Sequence, residues 1–319
     1  MKRVCVFAHW DRDNIIDEYV LYYLKALKDV ADSIIFVSDC DLKENETKKL
    51  DGIADFICAQ KHGEYDFGSY KRGFLLAIEK GLEFDELIFA NDSCYGPIYP
   101  LNTIFAKMEK KKFDFWGMTG NRYGVLNEGV PVYTKLPVVP HIQSYFLVLK
   151  KNVFMSKIFV DFINSIQKES EKNDIINKYE IGLSQLLYKN GFRSAKFINK
   201  YNFVCNPPSI KWDKMVKNDG YPFIKTAIIR NGFCITGEVK GWQDIIKRVS
   251  DYPVEIIEKN ANRLLNLYEN TYSQFNIYRK IRYWILKDAP PEIRYLVIMI
   301  EKYSYIILNK LCFNKLKKF

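Results

Sequence analysis

No C-x-x-C pair and no histidine at metal-ligand spacing accompany the seven cysteines, Cys5, Cys40, Cys58, Cys94, Cys205, Cys234 and Cys312. That argues against a zinc centre or a disulfide framework, and the odd, scattered thiols read as buried side chains in a reducing cytosol. Long apolar runs are also missing. The most apolar stretch, Ile293 to Leu308, is broken by Arg294, Glu301 and Lys302, which a spanning helix of about 20 apolar residues tolerates poorly. No charged leader or apolar signal core precedes the strand that begins at Arg3, so the chain is expected to stay in the cytosol. Internal repeats and low-complexity tracts are absent. The segment after that strand, AHWDRDN, has no glycine, which weighs against the glycine-rich phosphate loop a nucleotidyltransferase wants.

What is present is a chain of 319 residues, long enough for one large α/β domain and a helical appendage. Its net charge is +10, but from Asn260 to Phe319 eleven Lys or Arg face four Asp or Glu. The preceding residues are therefore close to balanced. A nucleic-acid groove over the main body is not expected.

Apolar periodicity predicts a strand at Val4 to Ala8, a helix at Ile15 to Lys28 and a strand at Ser33 to Ser38, a βαβ opening. A third strand follows at Phe56 to Ala59, a helix at Tyr70 to Lys80 closed by Gly81, and a fourth strand at Glu86 to Ala90. Gly117 to Pro140 reads as a loop over the sheet, His141 to Leu149 as a strand, and Lys151 to Glu171 and Asn173 to Asn190 as helices. Pro207 to Gly232 reads as a connector, with helix from about Glu238 onward. Such alternation predicts a mainly parallel α/β sheet whose ligands sit beyond the carboxyl ends of the strands.

Three polar clusters fall at those ends: Asp39 with Asp41, the run YDFGSYKRG from Tyr65 to Gly73, and ANDSCYGP from Ala90 to Pro97. Sugar transfer from a nucleoside diphosphate needs a base and ribose pocket, a cationic hold on the departing diphosphate, and a carboxylate to take the acceptor proton. Asp39 fits the base or ribose, Lys71 or Arg72 a phosphate oxygen, Lys225 in Pro222-Phe223-Ile224-Lys225 a contact to the diphosphate, and Asp92 a Mg²⁺ or Mn²⁺ shared with substrate phosphates. Each has a plainer alternative: Asp39, Asp66 and Asp92 are also ordinary turn formers, and Lys71, Arg72 and Lys225 are also ordinary solvated charges. Glu180, in KYEIGLSQLL, suits a general base or a carboxylate that complements a helix N-terminus. His141 and Gln143 suit either a structural hydrogen bond or a substrate contact. His9 reads as a nucleotide neighbour or a solvated loop residue, and His62 as surface.

Taken in order, YDFGSYKRG, LIFANDSCYGP, DFWGMT, HIQSYFLVLKKNVF, YEIGLSQLL and PFIK resemble the rhamnan synthesis protein F family over roughly residues 3 to 230. The resemblance implies a GT-A-like, Rossmann-type nucleotide-sugar fold and transfer of a deoxyhexose such as rhamnose from a nucleotide donor. By position it implies Asp92 as the metal carboxylate beside Asn91, Glu180 as the base of an inverting enzyme, Asp39 at the nucleotide, and Asp66 with Gly68 on the turn lining it. The pattern departs at Asn91-Asp92-Ser93, where one carboxylate of the usual Asp-x-Asp pair is missing. A retaining route stays open.

The expected organisation is a catalytic domain over 1–235 and a basic, aromatic-rich helical extension over 236–319. That extension has the composition of an interfacial helix for anionic lipid, or of a packed subdomain, which would place the enzyme at the inner face of the cell membrane. A nucleotide-sugar donor and a glycan or lipid-linked acceptor are the expected partners. The rival reading is a catalytically silent subunit of a synthase complex.

Overall fold

Side-chain alternation along the strands divides the interior into two layers. In β1 (Arg3–His9), Cys5 and Phe7 join one cluster while Val4, Val6 and Ala8 join the other. In β2 (Ser33–Ser38), Ile34 and Phe36 face the first layer, and Ile35 and Val37 the second. After β3 (Phe56–Ala59), the strand β4 (Glu86–Asn91) repeats the division, with Ile88 and Ala90 against Leu87 and Phe89. A strand apolar on both faces must be covered on both, and helices do so here. The computed structural model describes residues 1–121, 139–170, 172–201, 206–230, 233–234, 237–239 and 241–264.

Further strands are β5 (Cys94–Tyr95), β6 (Phe115–Gly117), β7 (Gly120–Asn121), β8 (His141–Ile142), β9 (Phe146–Lys150), β10 (Ser194–Lys196) and β11 (Ile224–Lys225). The central sheet has seven strands in the order β10-β6-β9-β4-β1-β2-β3. β4, β1, β2 and β3 run parallel, as do β10 and β6, and β9 alone is antiparallel to its neighbours. This is the expected mainly parallel α/β architecture. The register sets Ala8 opposite Asn91 and His9 opposite Ser38, so β1, β2 and β4 end on one edge.

The helix Tyr65–Glu79 packs on that sheet through Gly73, where a Cβ would stand 2.3 Å from Val6 Cγ1. Any larger residue there would push the helix off β1. The helix begins five residues earlier than periodicity predicts, so YDFGSYKRG forms its first turns and is not a strand-end loop. Polar residues spaced for one helix face had masked its start.

Other elements also depart from expectation. The strand foreseen at His141 to Leu149 is interrupted, leaving β8 and β9 on either side of Gln143 to Tyr145. The helix foreseen from Lys151 is two, Lys151–Phe154 and Lys157–Ser165, the second capped by Ser156 Oγ accepting from the Phe159 N–H at 3.3 Å. The connector after Pro207 contains the helices Pro207–Ile210, Trp212–Asp219 and Thr226–Arg230. Trp242, Ile246, Tyr252, Ile257 and Ala261 belong to the same core layer as Tyr19, Tyr23 and Phe223. The helices Trp242–Lys247 and Val254–Leu264 contribute side chains to that layer. Most of the Gly117 to Pro140 loop, and the basic tail from 265 to 319, lie outside the described residues. Among the described residues no helix is long and apolar enough to cross a membrane.

Candidate active site

β4 ends in Asn91, and the chain turns through Asp92 and Ser93 into β5. Asn91 is 2% exposed and hydrogen-bonded through both ends of its amide. Its Nδ2 donates to Asp66 Oδ2 at 2.7 Å, and its Oδ1 accepts from the Ser93 N–H at 3.1 Å and hydroxyl at 2.6 Å. Asp92 Oδ2 accepts the Trp10 N–H at 2.8 Å, and the Asp92 carbonyl accepts the Tyr19 hydroxyl at 3.0 Å. Desolvation pushes the Asp92 carboxyl up to about 7, the Asp66 charge adds to the rise, and the Trp10 N–H opposes it.

Lys225 reaches this turn because β11 pairs antiparallel with β5, setting Lys225 opposite Cys94. Its Nζ donates to Ser93 Oγ at 3.0 Å and stands 3.8 Å from the centroid of the Tyr145 ring. A lysine 132 residues away in sequence from Ser93 thus supplies positive charge beside Asp92.

Glu180 is brought to the same edge from the opposite layer. It lies in a π-helical turn, Ile176–Ile181, between the helical segments Lys172–Ile175 and Gly182–Lys189, and not at a helix start. The dipole reading of Glu180 is thereby corrected. Widened turns of this kind are frequent at functional sites. Glu180 Oε2 accepts from the Ser144 N–H at 2.9 Å and hydroxyl at 2.6 Å, and Oε1 stands 3.7 Å from His141 Nε2. His141 Nδ1 lies 2.8 Å from the Val139 carbonyl, an acceptor only, which assigns the proton to Nδ1. The interruption between β8 and β9 connects the carboxylates: the Ser144 carbonyl accepts the Tyr70 hydroxyl at 3.0 Å, and the Tyr145 carbonyl accepts the Asn91 N–H at 3.3 Å. Burial raises the Tyr70 phenol well above its usual value, and the charges of Asp66, Asp92 and Glu180 all add to the rise.

The remaining sequence-predicted residues are distributed unevenly. Asp39 Oδ1 accepts the N–H groups of His62 at 2.6 Å and Gly63 at 2.7 Å, so it holds the loop ahead of the helix Tyr65–Glu79. His62 is not on the surface: its side chain is 3% exposed, with Nε2 3.0 Å from Ser69 Oγ. His9 is buried with Nδ1 2.8 Å from Ser38 Oγ, and desolvation lowers it to about 4. Lys71 donates to the carbonyls of Asn164 and Ile166 at 3.0 and 2.8 Å, which caps the end of the helix Lys157–Ser165. Arg72 pairs with Glu64 at 2.8 Å, and Gly68 lies where a Cβ would meet Glu64 Cβ at 2.3 Å. Gln143 accepts the Thr119 hydroxyl at 2.7 Å and donates to Asn206 at 3.1 Å. Asp66, Asn91, Asp92, Lys225, Glu180 and His141 are thus brought together, whereas Asp39, Lys71, Arg72, Gly68 and Gln143 have structural partners.

Sequence reasoning missed Ser93, Ser144, Tyr145 and Trp10. Trp10 is 57% exposed although its own N–H is fixed on Asp92, and an exposed indole at a strand terminus was the available signal. A cleft of about 290 Å³ is lined by Asn121, His141, Ile142, Tyr188 and Lys196 among others.

Among the described residues no three His, Cys, Asp or Glu side chains form a ready cation cage. Asp92, with Asp66 close enough to perturb it, fits a Mg²⁺ or Mn²⁺ that takes its remaining ligands from substrate phosphates.

In a mainly parallel α/β sheet, acidic and cationic groups converging beyond the carboxyl ends of the strands lie where such folds bind ligands. The profile of the rhamnan synthesis protein F family matches residues 34–296, and the chain belongs to that family. Membership places it among nucleotide-sugar-utilising enzymes of polysaccharide synthesis. No curated protein matches the chain. Among solved structures, core-mannan synthase A from Aspergillus fumigatus in its Mn/GDP form aligns at 9% identity, over 62% of this chain and 71% of that one, with a TM-score of 0.37. The inositol-1-phosphate CTP transferase from T. maritima aligns at 13% identity, over 61% and 84%, with a TM-score of 0.36. The 4-diphosphocytidyl-2C-methyl-D-erythritol synthase from Anaerococcus prevotii aligns at 13%, over 64% and 92%, with a TM-score of 0.38. Likenesses this distant transfer no activity.

Proposed function

We propose that the chain is a glycosyltransferase of GT-A type that moves a sugar, a deoxyhexose such as rhamnose, from a nucleoside-diphosphate donor to a growing surface polysaccharide or lipid-linked glycan. The observation that carries this reading is the convergence of Glu180 with the Asn91-Asp92-Ser93 turn and Lys225 on one sheet edge, in a member of this family.

In the inverting, single-displacement route, Glu180 Oε1 takes the proton of the acceptor hydroxyl. The acceptor oxygen so deprotonated forms the new bond to the sugar's anomeric carbon as that carbon's bond to the diphosphate oxygen breaks. Lys225 Nζ holds the leaving phosphate oxygens, with Ser93 Oγ accepting from it and fixing its position, and Asp92 serves the same end through a divalent cation, which when bound supplies charge stabilisation. Two hydrogen bonds from Ser144 orient the Glu180 carboxylate, leaving Oε1 for the acceptor. The cleft that His141 lines offers the acceptor glycan a polar seat. Trp10 offers a flat apolar face beside Asp92 for the base. The catalytic domain in this reading extends to about Leu264, and the basic tail after it seats the enzyme on anionic lipid at the inner face of the membrane.

A donor panel tests the proposal: the protein is incubated with nucleotide sugars, and thermal stabilisation and release of free nucleoside diphosphate are followed. Stabilisation by one donor with slow nucleotide release is expected. Stabilisation without any release, even with glycan acceptors, would favour the silent synthase subunit. No response to any donor would overturn both.

A further inference from the structure

The helix Val254–Leu264 does more than cover the sheet. Arg263, 252 residues from Asp11 in sequence, bonds three carboxylates of the loop between β1 and the helix Glu18–Leu27. Its guanidinium donates to both oxygens of Asp11, to Asp13 Oδ2 at 2.5 Å and to Asp17 Oδ2 at 2.6 Å. Asp11 is 7% exposed, and a carboxylate so far out of water needs a countercharge. The same loop is tied to β2, because the Asp11 N–H donates to Cys40 Sγ at 3.1 Å and the thiol donates back to the Asp11 carbonyl at 3.2 Å. The residue before Asp11 is Trp10, whose N–H orients Asp92 Oδ2.

A second line of contacts starts from Asn260, three residues earlier on the same helix face. Its amide donates to Asp17, and its Oδ1 accepts from Arg230 Nε at 2.9 Å and from the Tyr95 hydroxyl at 2.6 Å. Arg230 Nη2 donates to the Tyr19 hydroxyl at 3.0 Å, and that hydroxyl donates to the Asp92 carbonyl. Side chain and main chain of Asp92 are therefore both held by networks that end on the helix Val254–Leu264.

We propose that Arg263 is a positioning residue of the donor site: by clamping Asp11, Asp13 and Asp17 it fixes the loop that aims Asp92 at the donor diphosphate. The inference rests on the reading of Asp92 given under Proposed function. Helix docking itself does not need the guanidinium, since Ile256, Ile257 and Ala261 are buried in the core and Leu264 is buried beside them in sequence. Without it three carboxylates of one short loop repel one another and the Trp10 N–H drifts from Asp92.

The test compares the full chain with Arg263→Met and Arg263→Lys, reading donor KM, kcat, the Mn²⁺ concentration needed for half activity, and amide exchange of the peptide carrying Trp10. The Met variant is expected to raise donor KM and the Mn²⁺ requirement at least tenfold, to change kcat little, and to speed exchange around Trp10. Lysine, a point charge that serves one carboxylate where arginine's fork serves three, should recover part of each. Adding Asp13→Asn to the Met variant removes one repelling charge and should also recover part of the loss. Parent-like KM, Mn²⁺ requirement and exchange in a Met variant, even one with a lowered melting temperature, would reduce Arg263 to a stabilising contact and overturn the proposal. If the parent itself takes no nucleotide sugar, the donor reading falls, and unchanged exchange at Trp10 still overturns the clamp.

Discussion

Glu180 and Ser144 are joined by two hydrogen bonds to a single carboxylate oxygen, 2.9 Å from the backbone N–H and 2.6 Å from the hydroxyl. A carboxylate held this way keeps one oxygen fixed and the other available, which is the geometry a general base needs. The π-helical turn that carries Glu180 swings the side chain out of a regular helical register toward the interruption between β8 and β9.

Replacing Glu180 with Gln should preserve shape and donor affinity while lowering kcat by a factor of about 100 or more. Ser144→Ala, which removes one of the two donors, should lower kcat by a smaller factor and leave donor KM in place. Steady-state kinetics with donor and acceptor varied separately would check both, and an undiminished kcat in the Gln variant would remove Glu180 from the mechanism.

Asp92 sets opposing demands on stability and binding. Its folded pKa, about 7, lies above the ordinary value of 3.8, so the folded state holds the proton more tightly. That contribution to stability is fully present below about pH 4 and is lost as pH rises through 7. Cation and diphosphate binding need the ionised form and should strengthen over the same upper range. Asp92→Asn should therefore melt higher than the parent above pH 7 while binding donor more weakly in the presence of Mn²⁺. Melting scans at pH 5 and 8 with nucleotide titrations would show it; full donor affinity in the Asn variant, or full parent activity in excess chelator, would leave the phosphate charge to Lys225 alone.

In the chain cut after Leu264, which lacks Trp284, Trp10 should report nucleotide binding by fluorescence, because Trp116, Trp212 and Trp242 are buried. Binding of the free nucleoside diphosphate is expected to quench that chain's emission. Trp10→Phe should keep the affinity and lose the quench, while Trp10→Ala should weaken binding by about tenfold, in line with the 1–3 kcal/mol of a base stacked on an aromatic ring. Equal affinity in the Ala variant would place the base elsewhere.

A cut after Leu264 removes the basic tail and keeps Arg263 with its core-packed helix. The shortened protein should stay folded, transfer to a short soluble acceptor, and no longer bind anionic vesicles. A cut after Asn260 removes Arg263 as well and should raise donor KM. Vesicle sedimentation at low and high salt separates these effects; if the intact chain ignores anionic vesicles at low salt, the tail is not a membrane contact.

The alternation of Val4 to Ala8, Ser33 to Ser38 and Glu86 to Asn91 determines by itself that these segments are two-faced buried strands, because side-chain direction repeats every second residue and both faces are apolar. Placement of Asp92 at the end of one of them follows from the same local pattern. Asp39 and Lys71 show where local pattern stops: both are polar residues near strand or helix termini, yet the first accepts backbone N–H groups of the 62–63 loop and the second caps a distant helix. Whether a carboxylate or ammonium faces solvent, substrate or another backbone depends on which segment folds back over it. Lys225 reaches Ser93 from 132 residues away and Arg263 reaches Asp11 from 252, and neither spacing leaves any trace in composition or period. Periodicity records only neighbours within a few residues, whereas the charge surrounding Asp92 is set by strand pairing and helix docking. Those contacts belong to the tertiary structure.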